Sequence, residues 1–326
     1  MMLKGKLLYL NWEEMDSLGL SLLKITDGVE KAFIDNAAGN VINPPKHWIQ
    51  TGPDTWFGGM SCYIPSLNGA GIKWQSGNPK NEKRGLPYIL GFYILNNGDG
   101  MPLAIMDSTW ITGMRTACAS ALAAKYLARK DSKTLGVIGC GLQGRIHLEA
   151  MRDVIPSICQ CKAYDIIPNK TKEYCETMSK KLGIEVIPVE SPREAVENCE
   201  IIVTGGPIVY PARPGITERG WMSPGTLAIT IDYDSYWTNE AMKDFSYIIT
   251  DDTEQTNHTK ESGFFLGVPH LDAELGDIIV GKKPGRSSMD EMILVFNLGV
   301  AFEDLPTAQE LYRLAREKEV GTWLSF

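Results

Sequence analysis

Apolar positions in the first third of the chain recur either at helical spacing or in short alternating runs. Val29, Ala32, Phe33 and Ala37 follow the helical rule, and Asp27-Gly-Val-Glu30 ahead of them has capping-box spacing, so a helix is expected to open there. Extended runs are expected at 45–49, 59–64, 71–75, 88–95 and 102–106, punctuated by Gly, Pro and Asn. Asn96-Asn-Gly-Asp-Gly100 separates the last two and is a turn signal that predicts a hairpin. This region reads as a mostly antiparallel sheet with helices. Within the third run, alternation places Lys73 and Gln75 opposite Ile72 and Trp74, which predicts one polar face and one face of apolar packing.

From about residue 112 the texture changes to helices alternating with short apolar strands. Residues 112–130, rich in Ala and Leu, predict a helix with Arg115 and Thr116 in its first turn. Strands are expected at 135–138, 161–165, 184–189, 201–204, 227–231 and 247–250, with a helix at 143–151. Pro168 and Gly183 frame a further helix, and Ser191-Pro-Arg-Glu194 joins a capping box to a proline at the first helical position. Six such strands imply right-handed crossovers and a parallel sheet covered on both faces, a doubly wound α/β domain. The tail beyond about residue 297 carries a helical pattern at 307–318 and is expected to return to the first lobe.

Length and composition narrow the class. A chain of 326 residues suits two domains, and 44% hydrophobic with 22% charged residues is the balance of a globular protein. A formal charge of -8 without a compensating Lys/Arg cluster argues against nucleic acid as a partner. Seven cysteines without even pairing fit a reduced compartment, and four histidines share no ligand spacing, so no metal is expected. The N-terminal apolar stretch is short and followed by Glu13, Glu14 and Asp16; neither secretion nor membrane insertion is indicated, and a cytoplasmic location is expected.

The expected strand 135–138 runs into Gly139-Cys-Gly-Leu-Gln-Gly144 and then a helix. Gly139 permits a tight turn, Gly141 lets a pyrophosphate approach the backbone, and Gly144 allows close packing of helix on strand. The helix N-terminus offers unpaired N–H groups and partial positive charge to phosphates. Asp165 closes the next strand, where a carboxylate would accept the ribose hydroxyls and repel a 2′-phosphate; NAD is expected over NADP, although Lys170 and Lys172 are near. Leu142, Gln143 and Thr204 join the glycines as expected cofactor-binding residues.

Gly71-Ile-Lys-Trp-Gln-Ser-Gly-Asn-Pro-Lys-Asn81, Met114-Arg-Thr-Ala-Cys-Ala-Ser-Ala-Leu-Ala-Ala-Lys-Tyr-Leu-Ala-Arg129 and the glycine loop with Gln143 resemble the ornithine cyclodeaminase and mu-crystallin family. That family includes alanine dehydrogenases and ketimine reductases, and the resemblance covers nearly the whole chain. It implies a homodimer with a Rossmann domain at 129–298 and a substrate-binding and dimerisation domain formed by 1–128 and 299–326. By the same matching, Lys73 and Arg115 take the positions of substrate-carboxylate ligands, and Lys46 stands where members carry Arg or Lys. Arg115 is also expected to touch the cofactor, with Thr116 at the pyrophosphate, Asp234 at proton transfer on the substrate nitrogen, and Asn297 near the nicotinamide. Two departures stand out. Gly58 sits where members have a charged residue, and Asp232-Tyr-Asp-Ser-Tyr-Trp237 replaces a Gly-Gly-Asp…Pro-Gly-Lys pattern, giving a bulky aromatic wall. Tyr236 and Trp237 themselves are not counted as site residues.

These residues suit hydride transfer at an iminium carbon, which needs a pinned carboxylate and a proton donor and acceptor at nitrogen. Arg115 offers a planar fork and Lys73 a compact charge, and Lys73 is expected to share the catalytic part with Asp234. If the backbone stays extended, Asp232 points the same way as Asp234 and is a second acid candidate; its other reading is a loop carboxylate bound to local N–H groups. The expected activity is an NAD(H)-dependent oxidoreductase of a small amino or imino acid. A cyclodeaminase without net redox change and a non-catalytic ligand-binding protein are the alternatives.

Overall fold

In the computed structural model residues 5–209 and 215–326 are described, so the first four residues of the N-terminal apolar stretch lie outside the described residues. The chain forms two compact units, Met1–Arg115 with Val300–Phe326, and Thr116–Gly299.

The first unit opens with β1 (Lys6–Leu10), α1 (Trp12–Ser17) and α2 (Leu22–Ala37). Helix α1 carries a complete capping box between Asn11 and Glu14. Helix α2 starts earlier than expected: Ser21 caps it by accepting from Lys24 N, so Asp27 and Glu30 lie within the helix and form no box. The apolar repeat seen at Val29 continues upstream through Ile25, so Asp27 sits within the helix and not at its cap. There follow β2 (His47–Gly52), β3 (Thr55–Ile64), β4 (Gly69–Gly77), β5 (Ile89–Asn97) and β6 (Pro102–Asp107). The expected hairpin at 96–100 joins β5 to β6, with Gly100 at positive φ. Helix α3 (Ser108–Leu127) begins one turn before the expected residue 112, so Arg115 and Thr116 fall in its second turn; Asp107 accepts from Trp110 N and starts the helix there.

The second unit contains the rest of α3, then β7 (Thr134–Ile138), α4 (Leu142–Val154), β8 (Gln160–Tyr164), α5 (Pro168–Leu182), β9 (Glu185–Pro188), α6 (Pro192–Val196), β10 (Ile201–Thr204), β11 (Leu227–Thr230), α7 (Asn239–Met242), β12 (Tyr247–Thr250), α8 (Thr253–Lys260), β13 (Ala273–Glu274), α9 (Leu275–Ile279) and β14 (Ile293–Phe296). Pro168 opens α5 and Gly183 ends it in a left-handed cap, as the punctuation predicted. The sheet is β13-β12-β14-β11-β10-β7-β8-β9, paired in parallel throughout. It has eight strands where the apolar runs suggested six. Strand β14 was missed, although Ile293–Phe296 is buried at every position and lies between β11 and β12. The chain then returns to the first unit as α10 (Ala301–Lys318) and β15 (Thr322–Ser325).

The first unit's sheet is β15-β1-β6-β5-β4-β3-β2, antiparallel except for β1 beside β6. Alternation along β4 is as expected, but its burial is inverted. Lys73 and Gln75 face inward, whereas Ile72 and Trp74 are 39% and 47% exposed. The apolar face joins Ile49 opposite Phe57 and Trp74 opposite Phe92, all on the surface of this unit.

Candidate active site

Lys73 sits in the middle of β4 and points into the first unit, where its Nζ lies 2.9 and 2.8 Å from the two carboxylate oxygens of Asp304. Arg115 donates from Nε to Asp304 at 2.8 Å and from Nη1 to Glu303 at 2.5 Å. None of these four side chains is more than 5% exposed. Glu303 and Asp304 lie in the first turn of α10, where the helix dipole favours carboxylates. Two cations therefore face two anions in a water-poor interior, an arrangement that is costly to break on one side only. Burial, followed by the charge of Arg115, lowers the Lys73 pKa to about 8 against the opposing pull of Asp304. Burial also pushes the neighbouring Cys62 thiol and Tyr93 phenol well above their ordinary ranges, so both are neutral.

Lys46 precedes β2, is buried and lies 5.9 Å from the Trp48 ring centroid, within cation–π range. Trp48 meets Trp56 edge to face at 4.3 Å. A Cβ added at Gly58 would come within 3.3 Å of Trp56 and 3.4 Å of Trp48. Indole therefore fills the space of the charged residue that the family resemblance places there.

In the second unit two of the loop glycines meet the expected steric demands, Gly139 in the turn and Gly144 in the packing of helix on strand. Gly139 has φ +102, and its missing Cβ leaves room for Gly205 O at 2.7 Å. At Gly144 a Cβ would stand 2.1 Å from Gly139 O, so α4 packs on β7 only without one. Nothing lies within 4 Å of a Cβ built at Gly141, which caps α4 without a side chain. The first N–H groups of α4, from Leu142 onward, thus lie beside open space at Gly141, the surroundings a phosphate needs. Asp165 follows β8 and accepts from Cys140 N at 3.0 Å and Ile167 N at 2.9 Å, which ties it to the loop. These residues fit a dinucleotide.

The two acids after β11 have different surroundings. Tyr233 between them has φ +60, so the chain does not stay extended and the two carboxylates do not share partners. Asp232 is fully buried and accepts from Thr230, Thr204 and Gly206; burial raises its pKa to about 7 against those bonds. Thr204 is thereby turned toward Asp232. Asp234 accepts from Phe265 N at 2.8 Å through one oxygen, while the other is buried with no partner among the described residues. Burial raises its pKa too. Trp237 belongs to an aromatic core with Phe245, and Tyr236 packs at its edge.

Asn297 follows β14 and ends a chain of hydrogen bonds whose direction can be read from its far end. His147 Nδ1 faces the carbonyl of Gln143 at 2.8 Å, and a carbonyl only accepts, so Nδ1 carries the proton. Burial lowers the His147 pKa to about 4 and keeps the ring neutral. Its Nε2 then accepts from Ser120 at 3.0 Å, and Ser120 accepts from Asn297 Nδ2 at 3.0 Å. Asn297 Oδ1 is left as an acceptor with no partner among the described residues. Thr116 is buried in α3 beside Arg115 in sequence.

The structure thus brings Lys73 and Arg115 together on one carboxylate, and Asp165 onto the glycine loop. Sequence reasoning missed Glu303, Asp304, Ser120 and His147. The acidic pair had a signal, since Glu303 and Asp304 interrupt the run Val300, Ala301, Phe302, Leu305. Ser120 and His147 had none beyond lying on apolar helix faces.

A parallel sheet with an open glycine-loop helix and an acid just past the following strand defines a dinucleotide-binding α/β protein. The sequence profile of the Ornithine cyclodeaminase/mu-crystallin family matches residues 10–319, and the chain belongs to that family. An alanine dehydrogenase of Archaeoglobus fulgidus is 34% identical over 332 residues, covering 98% of this chain and 98% of the relative. The structure of Thermococcus litoralis Delta(1)-pyrroline-2-carboxylate reductase in complex with NADH and L-proline is 34% identical with a TM-score of 0.87, covering 97% of this chain and 99% of that one. An archaeal alanine dehydrogenase dimer with bound NAD is 33% identical with a TM-score of 0.86, covering 98% and 99%.

Proposed function

We propose that the chain is an NAD(H)-dependent oxidoreductase that moves a hydride at the α-carbon of a small amino or imino acid. The observation that carries this reading is the open N-terminus of α4 at Gly141 with Asp165 tied beside it, in a chain one-third identical, end to end, to relatives named for amino- and imino-acid redox chemistry. Residues 129–298 form the NAD-binding domain in this reading, and 1–128 with 299–326 the substrate and dimer domain.

A bound dinucleotide supplies the hydride donor or acceptor. Gly139, Gly141, Leu142, Gln143 and Gly144, with Thr116, would hold its pyrophosphate, Asp165 its ribose and Asn297 its nicotinamide half; Thr204, expected among them, has its hydroxyl taken by Asp232 and Trp237 and is left out. Lys73 and Arg115 pin the substrate carboxylate, with Lys46 as a third cation. Asp234 gives and takes the proton at the substrate nitrogen through its unpartnered oxygen; burial holds the carboxyl above its ordinary range, where such exchange is easier. The Trp48–Trp56 pair over Gly58 gives a distal amine no carboxylate to meet, which favours an uncharged side chain over a diamino acid. A homodimer is part of the reading, supported by the surface of Ile49, Phe57, Ile72, Trp74 and Phe92 and by the dimeric relative. Among the described residues no helix is long and apolar enough to cross a membrane, and we place the protein in the cytoplasm.

The test follows NADH absorbance with cyclic ketimines and with 2-oxo acids plus ammonia, alongside ammonia release from diamino acids. NADH consumption by a ketimine or oxo acid is expected. Ammonia release from ornithine at constant NADH would replace this reading with a cyclodeaminase.

A further inference from the structure

The buried cluster of Lys73, Arg115, Glu303 and Asp304 raises a question of charge. Its two cations are matched by two carboxylates, and Cys62 of β3 and Tyr93 of β5, which stand beside Asp304, are neutral. Lys46, the third cation of the proposed clamp, lies over the Trp48 ring, so at Lys73 and Arg115 themselves a third carboxylate entering as substrate would leave a local net negative charge, which desolvation makes strongly unfavourable. One resident anion must therefore give way.

The two residents are not held alike. Asp304 touches both cations, through Arg115 Nε and Lys73 Nζ. Glu303 meets Arg115 alone, through Oε2, and its Oε1 is buried with no partner among the described residues. Arg115 has five N–H donors, of which the two carboxylates take one each.

We propose that Glu303 stands in for the substrate carboxylate at Arg115 in the unliganded chain and accepts a proton when that carboxylate binds. The side chain orients the guanidinium beforehand and sets the affinity of the site; it acts through Arg115 as a positioning residue. Burial and the adjacent Asp304 already raise its pKa against the pull of Arg115 and Lys73. This inference rests on Lys73 and Arg115 being the carboxylate ligands.

The probe is pyrrole-2-carboxylate, a planar carboxylate without a reducible imine, titrated calorimetrically into the NADH-loaded protein. Work at pH 7, below the range of Lys73, in two buffers of different ionisation heat reads proton uptake. The wild type is expected to take up about one proton per carboxylate bound. Glu303→Gln is expected to bind the probe about tenfold more tightly, the scale of removing one close like charge, and to take up none. Unchanged or weaker binding by E303Q, or no proton uptake by the wild type, overturns the proposal. The wild-type measurement decides alone if E303Q does not fold. A wild type that binds NADH but no carboxylate removes the clamp as well, whereas binding without proton uptake removes only the role of Glu303.

Discussion

The two clusters on which the proposed function rests, one in each unit, are built on opposite principles. The glycine loop is local: one strand, six residues and one helix supply the turn, the open amides and the packing contact. The cationic clamp is assembled across the chain, with Lys73 meeting Asp304 231 positions away and Arg115 meeting Glu303 188 away. A local motif fixes its own geometry and tolerates distant change. A distributed cluster depends on every segment arriving and carries the cost of buried charge.

Six substitutions break or sharpen that contrast. Asp304→Ala leaves Lys73 and Arg115 without their shared anion and is expected to destabilise the protein by about 3–5 kcal/mol in denaturant unfolding. A loss below about 1 kcal/mol would mean the cluster relaxes to water and is not the rigid clamp described. Asp234→Asn is expected to lower turnover by roughly 10²-fold with NADH affinity unchanged, and near-normal turnover would remove the acid–base role.

The loop is probed by separating its glycines. Gly144→Ala forces a Cβ against Gly139 O and should cost stability, whereas Gly141→Ala should fold normally and weaken NADH binding by roughly tenfold or more. Equal NADH affinity for wild type and Gly141→Ala in a fluorescence titration would show that no phosphate approaches there.

His147 gives a pH signature. Its folded pKa of about 4 lies below the ordinary 6.5, so the unfolded chain binds the extra proton first. The stability it contributes is present above pH 6.5 and is lost as pH falls toward 4, with a slope of at most about 1.4 kcal/mol per unit. Urea midpoints for wild type and His147→Gln should diverge in slope within that window; parallel curves would place a charged His147 in the fold. The smallest effect is expected from Asp165→Ser, a shift of about tenfold in the NAD to NADP preference. An unchanged ratio would mean the ribose is read elsewhere.

Legibility in the sequence followed the same division. Gly139 to Gly144, Asp165 and the Pro168 to Gly183 helix were readable because their causes are local dihedral and capping requirements. Lys73 and Arg115 came only from a family resemblance, since an isolated lysine on a strand does not announce its counterion. Glu303 and Asp304 stayed hidden because helix α10 joins a sheet formed two hundred residues earlier. The inverted burial of β4 has the same origin: the ionic cluster claims the inner face, and Ile72 and Trp74 are turned outward. Strand β14 was legible as well, since Ile293–Phe296 is a four-residue apolar run like β10 and β12.

The central claim is hydride transfer at a substrate α-carbon, and isotope tracing tests it most directly. Wild-type protein is supplied with NADH deuterated at the transferable C4 position and a cyclic ketimine carboxylate, and the product is read by mass spectrometry and NMR. The account predicts one deuterium at the α-carbon for each NAD formed. Product without deuterium, or deuterium retained in NADH while ammonia is released, would contradict it.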